Sequence, residues 1–330
     1  MKLGKVETEI LENIVFRWLG KRRDDVLQGA GVGIDNAALK VEDKIIIASS
    51  DPVTGAIEYL GWIAVHVAAN DVAVAGGEPA WYLPIILMPP STDRDELEKV
   101  CREMHEAAES IGASIVGGHT EYTDTVTRII VCGTFIGPLV SDRYISSSGA
   151  KPGDRILVVG YVGMEGTGII ARDFQDRLRY LNEKSIKEAQ RYIKEISIVE
   201  PAIIAAKSGL VNAMHDPTEG GLLGGIHEMC DASNVGFRIY RDEIPLRDST
   251  IRICKEVNVD PLKLLSSGTL LISTPEKEVD ILIERLRETG KVVREIGEIV
   301  KNPDERILVS KEGERRVGRP IRDEIWKLWS

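Results

Sequence analysis

Residues 45–77 are IIIASSDPVTGAIEYLGWIAVHVAANDVAVAGG. The three isoleucines begin a buried strand, which ends in the polar residues Ser49, Ser50 and Asp51. A loop with Pro52 and Gly55 leads into a nearly uncharged helix from about residue 60 to 75. Asp51 therefore closes a strand, and Asp71 sits near the far end of a buried helix. Unpaired carboxylates are costly in such places. No Lys or Arg occurs between Lys44 and Arg94. The compensating charge is expected from outside the protein, most simply as a divalent cation.

Upstream, residues 5–19 carry an amphipathic helical pattern with Val6, Ile10 and Trp18 on one side. The segment GAGVGIDNAAL, residues 29–39, then brings glycine backbone close to Asp35. Downstream, residues 81–88 form a strand in which Pro84 argues for an edge or a bulge. A helix over 94–110 follows with a Ser or Thr cap. After it come a short strand SIVGG, a polar cluster HTEYTDT and the strand RIIVCGTFIG. Residues 141–154, SDRYISSSGAKPGD, are the linker candidate. The second half opens with the strand RILVVG at 155–160, a glycine-rich YVGMEGTG and a helix from about 169. Strand and helix patterns go on alternating to residue 310. This interleaving in both halves indicates α+β or α/β domains, one over 1–140 and another over 150–330.

A net charge of -10 argues against a cationic surface for nucleic acid or anionic membrane. No run of apolar residues approaches a membrane span, and the N-terminus MKLGKVETEI lacks a signal-peptide core. The four cysteines show no CxxC spacing, so free thiols in a reducing, cytoplasmic setting are expected.

Asp35, Asp51 and Asp71 are candidate oxygen ligands for Mg²⁺, which suits one or two carboxylates beside phosphate oxygens. Asn70 is placed to add an amide, and Gly31 and Gly33 a backbone cradle. No lysine follows these glycines, so a Walker A loop is excluded, and the flanking pattern does not fit a dinucleotide fingerprint. VGYVGMEGTG has a strand–glycine–helix context but the wrong spacing for that fingerprint. In HDPTEGGL, residues 215–222, Asp216, Pro217 and Glu219 have the spacing of a helix N-cap box. Either carboxylate can equally serve a metal. His119, in GGHTE, and His215 lie in polar, glycine-flanked loops, whereas His66 and His105 fall in helices. HEMCD lacks the second histidine of a zinc protease, and no Cys/His spacing suggests zinc.

Taken in order, GVGIDNAAL, SSDPV, ANDVAVAGGEP, VGGHTE, TFIG, SGAKPGDRILVVG, HDPTEGGL and IGEIV resemble the AIR synthase-related (PurM-like) family. That family includes aminoimidazole ribonucleotide synthase, thiamine monophosphate kinase, selenophosphate synthetase and the hydrogenase maturation protein HypE, whose branch looks most similar. The resemblance implies two α+β domains, the first forming a mixed β-barrel across a homodimer, with ATP in the cleft. It implies ATP-dependent, Mg²⁺-assisted phosphoryl transfer to an oxygen of a small substrate. Carried over by motif, Asp35, Asp51 and Asp71 match metal-binding carboxylates, Asn70 precedes the last of these, and Asp216 faces the phosphates. Gly31, Gly33, Gly117 and Gly118 match the nucleotide cradle. At His119 the maturation protein and the thiamine kinase have an aspartate, so either Glu121 substitutes as a metal ligand or one metal site is lost, and His119 is a candidate base or substrate contact. Glu219 stands where HypE has arginine, which makes the pocket more acidic. The chain ends RPIRDEIWKLWS, without the terminal cysteine of HypE, so the self-modifying reaction does not carry over. Two other readings are a non-catalytic ATP-binding accessory in hydrogenase maturation, docking a partner through Trp326 and Trp329, and a small-molecule kinase. The tail can equally pack back on the second domain.

Overall fold

The computed structural model describes residues 6, 8–54 and 56–329; Gly55 and the start of the expected N-terminal helix lie outside them. The first half contains α1 (Thr8–Asn13), β1 (Val26–Gln28), β2 (Ala37–Val41), β3 (Lys44–Val53) and α2 (Leu60–Val74). It continues through β4 (Trp81–Met88), α3 (Arg94–Ser110), β5 (Ser114–Ile115), β6 (His119–Tyr122) and β7 (Ile130–Pro138). Its strands make one mixed sheet in the order β1-β2-β3-β7-β4-β5, with β6 also paired to β4. The sheet is open.

Every residue of α2 is buried. The helix packs on β3 and β7, on α3, and on α6 (Val199–Ser208) of the second half, so apolar residues are required all round it. Alternation along β3 sends Ile47, Ser49, Asp51 and Val53 to one side of the sheet. The opposite side, with Ile46 of β3, Ile136 of β7, and Trp81 and Ile85 of β4, is left uncovered.

The second half contains β8 (Asp154–Val159), α4 (Met164–Asp173), α5 (Glu183–Gln190), the already introduced α6, β9 (Ala213–His215) and α7 (Gly221–Ser233). Then come β10 (Gly236–Tyr240), α8 (Asp248–Glu256), β11 (Leu270–Pro275), α9 (Val279–Arg287), β12 (Val293–Val300), β13 (Arg306–Ser310) and β14 (Gly313–Arg316). Its sheet runs β14-β13-β10-β12-β8-β11-β9, and only the β10–β13 pair is parallel. The result is a two-domain α+β fold with mixed sheets. No helix among the described residues is long and apolar enough to cross a membrane.

Several local expectations are corrected. β3 continues past Ser49 to Val53, so Asp51 lies within the strand and pairs with Gly133. β4 is an interior strand, with β7 on one side and β5 and β6 on the other. Pro84 falls in the gap between the β5 and β6 pairings, where no N–H is needed on that side. The cap of α3 is Asp93, in a reciprocal box with Glu96, rather than Ser or Thr. The polar HTEY is a strand, β6, and α4 begins at Met164.

Candidate functional site

β3 and α2 bring two of the candidate acids together. Ser49 Oγ donates to Asp71 Oδ2 at 2.7 Å and lies 2.8 Å from the Asp35 carbonyl oxygen. Asn36 Nδ2 donates to the Asp71 carbonyl at 3.0 Å, tying the glycine-rich segment to the end of α2. Asp71 is 1% exposed. Burial raises its carboxyl well above the usual range, and the charges of Asp216, Asp51 and Asp35 add to that rise. Asp51 and Asp216 both lie within hydrogen-bonding reach of it. Four carboxylates from four chain segments thus converge.

Asp216 does not cap a helix, contrary to one expectation. The chain leaves β9 at His215, and α7 starts only at Gly221, capped by Gly220 without a side-chain bond from the HDPTE segment. Gly220 and Gly221 have φ values of 83° and 60°, and a Cβ on Gly221 would lie 2.6 Å from the Leu264 carbonyl oxygen. This turn displaces the helix start by four residues and leaves Asp216 facing the acids. The capping contact comes instead from the far end of the chain: Gly220 N–H donates to Asp323 Oδ2 at 2.7 Å. Asp216 is 2% exposed, and its Oδ2 has no hydrogen-bond partner among the described residues. Burial pushes its carboxyl up to about 7, with His215 opposing and Asp35 reinforcing the rise.

Behind this cluster His215 links Asp35 to Glu228. Its Nε2 is 3.1 Å from Glu228 Oε2 and its Nδ1 is 3.8 Å from Asp35 Oδ2. These three side chains have the spacing of a metal site. Glu228, however, also accepts from Arg319 Nη2 at 3.0 Å. Burial alone would lower the His215 pKa, but the Glu228 bond and the Asp35 charge reverse the sign and raise it. Arg319 supplies positive charge here and His215 is biased toward its charged form, which acts on Asp35, Glu228 and the adjacent Asp216, whereas only acids act on Asp71. Gly33, at φ 70°, packs on this layer: a Cβ there would lie 2.7 Å from the Glu228 carbonyl oxygen.

A cleft of about 590 Å³ opens beside the cluster, between the two halves. Asp51, Thr54 and Arg128 of the first half line it with Glu165, Glu219 and Ser267 of the second. Trp326 and Trp329 close one end. Glu165 was not anticipated, although a lone acid inside the glycine-rich MEGTG was a usable signal. Burial raises its carboxyl, with Glu219 and Asp51 contributing, while the bond from Ser267 N–H opposes. The tail is not a free docking arm. Ile325, Trp326 and Leu328 are buried, Arg177 donates to the Leu328 carbonyl, and Arg128 lies over the Trp329 ring at 4.6 Å.

Other candidates lie elsewhere. His119 and Glu121 bond to each other at 2.8 Å and are exposed. They are in register with Ile85 and Leu87 on the uncovered face, with β7 and β4 between them and β3. Gly117 and Gly118 lead into the same strand. None of these four joins the carboxylate cluster within one chain. Asn70 turns away from it: its Nδ2 donates to the Ile196 carbonyl, and its Oδ1 accepts from Ile198 N–H, both at 3.0 Å. It clamps the two halves together. Gly31 makes a tight turn with Ile34 next to Asp35.

Known proteins match this architecture along its length. Two family models fit in tandem: AIR synthase related protein, N-terminal domain, over residues 33–139, and its C-terminal domain over 151–310. The chain belongs to the AIR synthase related family. Its HypE-like relatives include a putative hydrogenase expression/formation protein of Methanocaldococcus jannaschii, 28% identical over 98% of this chain and 96% of its own. The carbamoyl dehydratase HypE of Azotobacter vinelandii is 24% identical over 90% of this chain and 86% of its own. Among solved structures, a chain of a HypE–HypF complex superposes with TM-score 0.77 at 22% identity, covering 94% of this chain and 99% of that one. ThiL complexed with AMPPCP and TMP gives 0.74 at 20% identity, covering 96% and 97%. HypE in complex with ATP gives 0.70 at 22% identity, covering 98% and 97%. The family relation places the chain near HypE.

Proposed function

We propose that this protein binds ATP with Mg²⁺ in the cleft between its halves and transfers the γ-phosphoryl group to an oxygen of a small substrate. The observation that carries this reading is the convergence of Asp35, Asp51, Asp71 and Asp216, with Asp216 Oδ2 unpartnered and no Lys or Arg among residues 45–93. Hard carboxylate oxygens are the donor set Mg²⁺ prefers, so the residues fit the ion. Asp35, Asp51, Asp71 and Asp216 would hold it, with Glu219 at the cleft wall. When bound, the ion supplies positive charge that offsets the phosphate oxygens. Gly31 and Gly33 shape the turn that presents Asp35. Asp216 brings the second half's carboxylate to the same site as the three acids of the first half. Structures of HypE with ATP and of ThiL with AMPPCP support nucleotide binding on this fold.

The uncovered apolar face of the first-half sheet is where we place a second copy of the chain, which would complete the mixed barrel. It is also the route by which His119, Glu121, Gly117 and Gly118 would meet a partner's cleft. We divide the domains at 1–140 and 150–330 and place the protein in the cytoplasm. The relatives named for hydrogenase maturation, and the HypE–HypF complex, favour a maturation pathway with a protein partner. The kinase and accessory readings separate by turnover. The test is ADP release from Mg²⁺-ATP by the isolated protein, with and without a small-molecule extract. Acceptor-dependent release supports the enzyme. Nucleotide binding with no turnover under either condition would replace it with the accessory reading.

A further inference from the structure

HEMCD, residues 227–231 of α7, carries two acids that the proposed reaction does not use. Both meet Arg319. Its Nη2 donates to Glu228 Oε1 at 3.0 Å, and its Nη1 donates to Thr8 Oγ1 at 3.0 Å and to Asp231 Oδ2 at 3.4 Å. Arg319 is thus anchored on two other sides while it holds Glu228. The second Glu228 oxygen, Oε2, is 3.1 Å from His215 Nε2. A carboxylate beside a guanidinium only accepts, so Nε2 carries the donated hydrogen and this bond orients the ring. The opposite nitrogen, Nδ1, then faces Asp35 Oδ2 at 3.8 Å, with Ser147 Oγ beside it at 3.3 Å. Glu228 also reaches the Asp35 loop through its backbone: its carbonyl oxygen is the atom that a Cβ on Gly33 would approach to 2.7 Å. The geometry favours support over shared ligation of an ion by Asp35, His215 and Glu228. Each carboxylate is met by a different ring nitrogen, and Glu228 already has Arg319.

We propose that Glu228 is a positioning residue for the metal site: it sets the His215 ring, and the ring sets the Asp35 carboxylate. The proposal rests on the reading of Asp35 as a Mg²⁺ ligand. Of the four converging acids, Asp71 and Asp216 are buried and Asp51 lies within β3, whereas Asp35 is exposed on the loop before β2. It is the ligand whose orientation the fold controls least, and so the one that gains most from outside support. Residues that orient a metal ligand without touching the ion contribute measurably to its affinity. Arg319 extends the support outward, linking Glu228 to Thr8 of α1.

The test is calorimetric titration of the full chain with AMPPCP, with and without Mg²⁺; the ratio of the two affinities is the Mg²⁺-dependent gain. Glu228→Leu should cut that gain ~10-fold and leave the metal-free affinity unchanged. Glu228→Gln, which keeps an acceptor for Nε2, should restore most of the loss. In an Asp35→Asn background Glu228→Leu should alter the gain less than ~2-fold, because the carboxylate it serves is gone. Arg319→Met, at a side chain 34% exposed, lowers the gain in the same direction and stands in should Glu228→Leu fail to fold, which melting curves check. An unchanged gain in the folded variants, a loss in Glu228→Gln equal to that in Glu228→Leu, or full additivity with Asp35→Asn would overturn this inference alone. A wild type with no Mg²⁺-dependent gain would overturn the ATP reading and this inference with it.

Discussion

Asp71 concentrates the argument at the residue scale. Its carboxylate is buried among other carboxylates and held by one hydroxyl at 2.7 Å. Asp71→Asn keeps that hydrogen bond and removes the charge. The metal-free variant should melt about 2 °C or more above wild type at pH 8, and lose at least ~10-fold in Mg²⁺-nucleotide affinity. The sign follows from linkage. Raised carboxyls bind more protons in the folded than in the unfolded state, so their stabilising contribution is present at low pH and lost as pH rises through about 7. The neutral, buried His66 and His227 act in the opposite direction, their contribution being lost as pH falls below 6.5 toward about 4. The wild-type minus Asp71→Asn difference in melting temperature, measured from pH 5 to 8, isolates the carboxyl effect. It should become more negative as pH rises, and a flat difference would contradict the raised Asp71 carboxyl.

At the scale of elements, the short 3₁₀ turn Glu324–Leu328 has more influence than its length suggests. Asp323, just before it, caps Ile325 N–H and reaches Gly220 N–H at the start of α7. Trp326→Ala should cost about 3–5 kcal/mol in equilibrium unfolding, and Asp323→Ala about 1–2 kcal/mol. A melt unchanged by Trp326→Ala would return the tail to the role of a free arm. These contacts also show where sequence stops being informative. The nearly uncharged run at 60–74, with Asp71 its one acid, announced a helix buried on all sides, because no soluble face was available. The cap of α7 was illegible, since a local D-P-x-E pattern competed with an acceptor about a hundred residues away and two left-handed glycines decided between them. The acids of β3 and α2 were legible as unusual, because burial without a counter-ion is visible in composition. Glu165 stood out only as a lone acid among glycines and Ser267 not at all, because the packing of α4 against the 265–268 loop is what brings them to the cleft.

Across the whole molecule, the open sheet and its uncovered face predict association. Light scattering should give twice the 36.4 kDa chain mass. Ile85→Glu, at the centre of that face, should shift the protein to a monomer without unfolding it, because Ile85 is 42% exposed in the single chain. A wild-type monomer at micromolar concentration would contradict the pairing. The sequence pattern indicated two α+β or α/β halves, and the family resemblance chose α+β; neither showed which strand face lacks a cover, since either face of an alternating strand is compatible with the same spacing. The convergence of carboxylates from both halves is the property on which the functional account stands. Its most direct measurement is a calorimetric titration of ATP in the presence and absence of Mg²⁺. The account predicts saturable binding with Mg²⁺ and affinity at least ~100-fold weaker without it. Equal affinity in both conditions would contradict it.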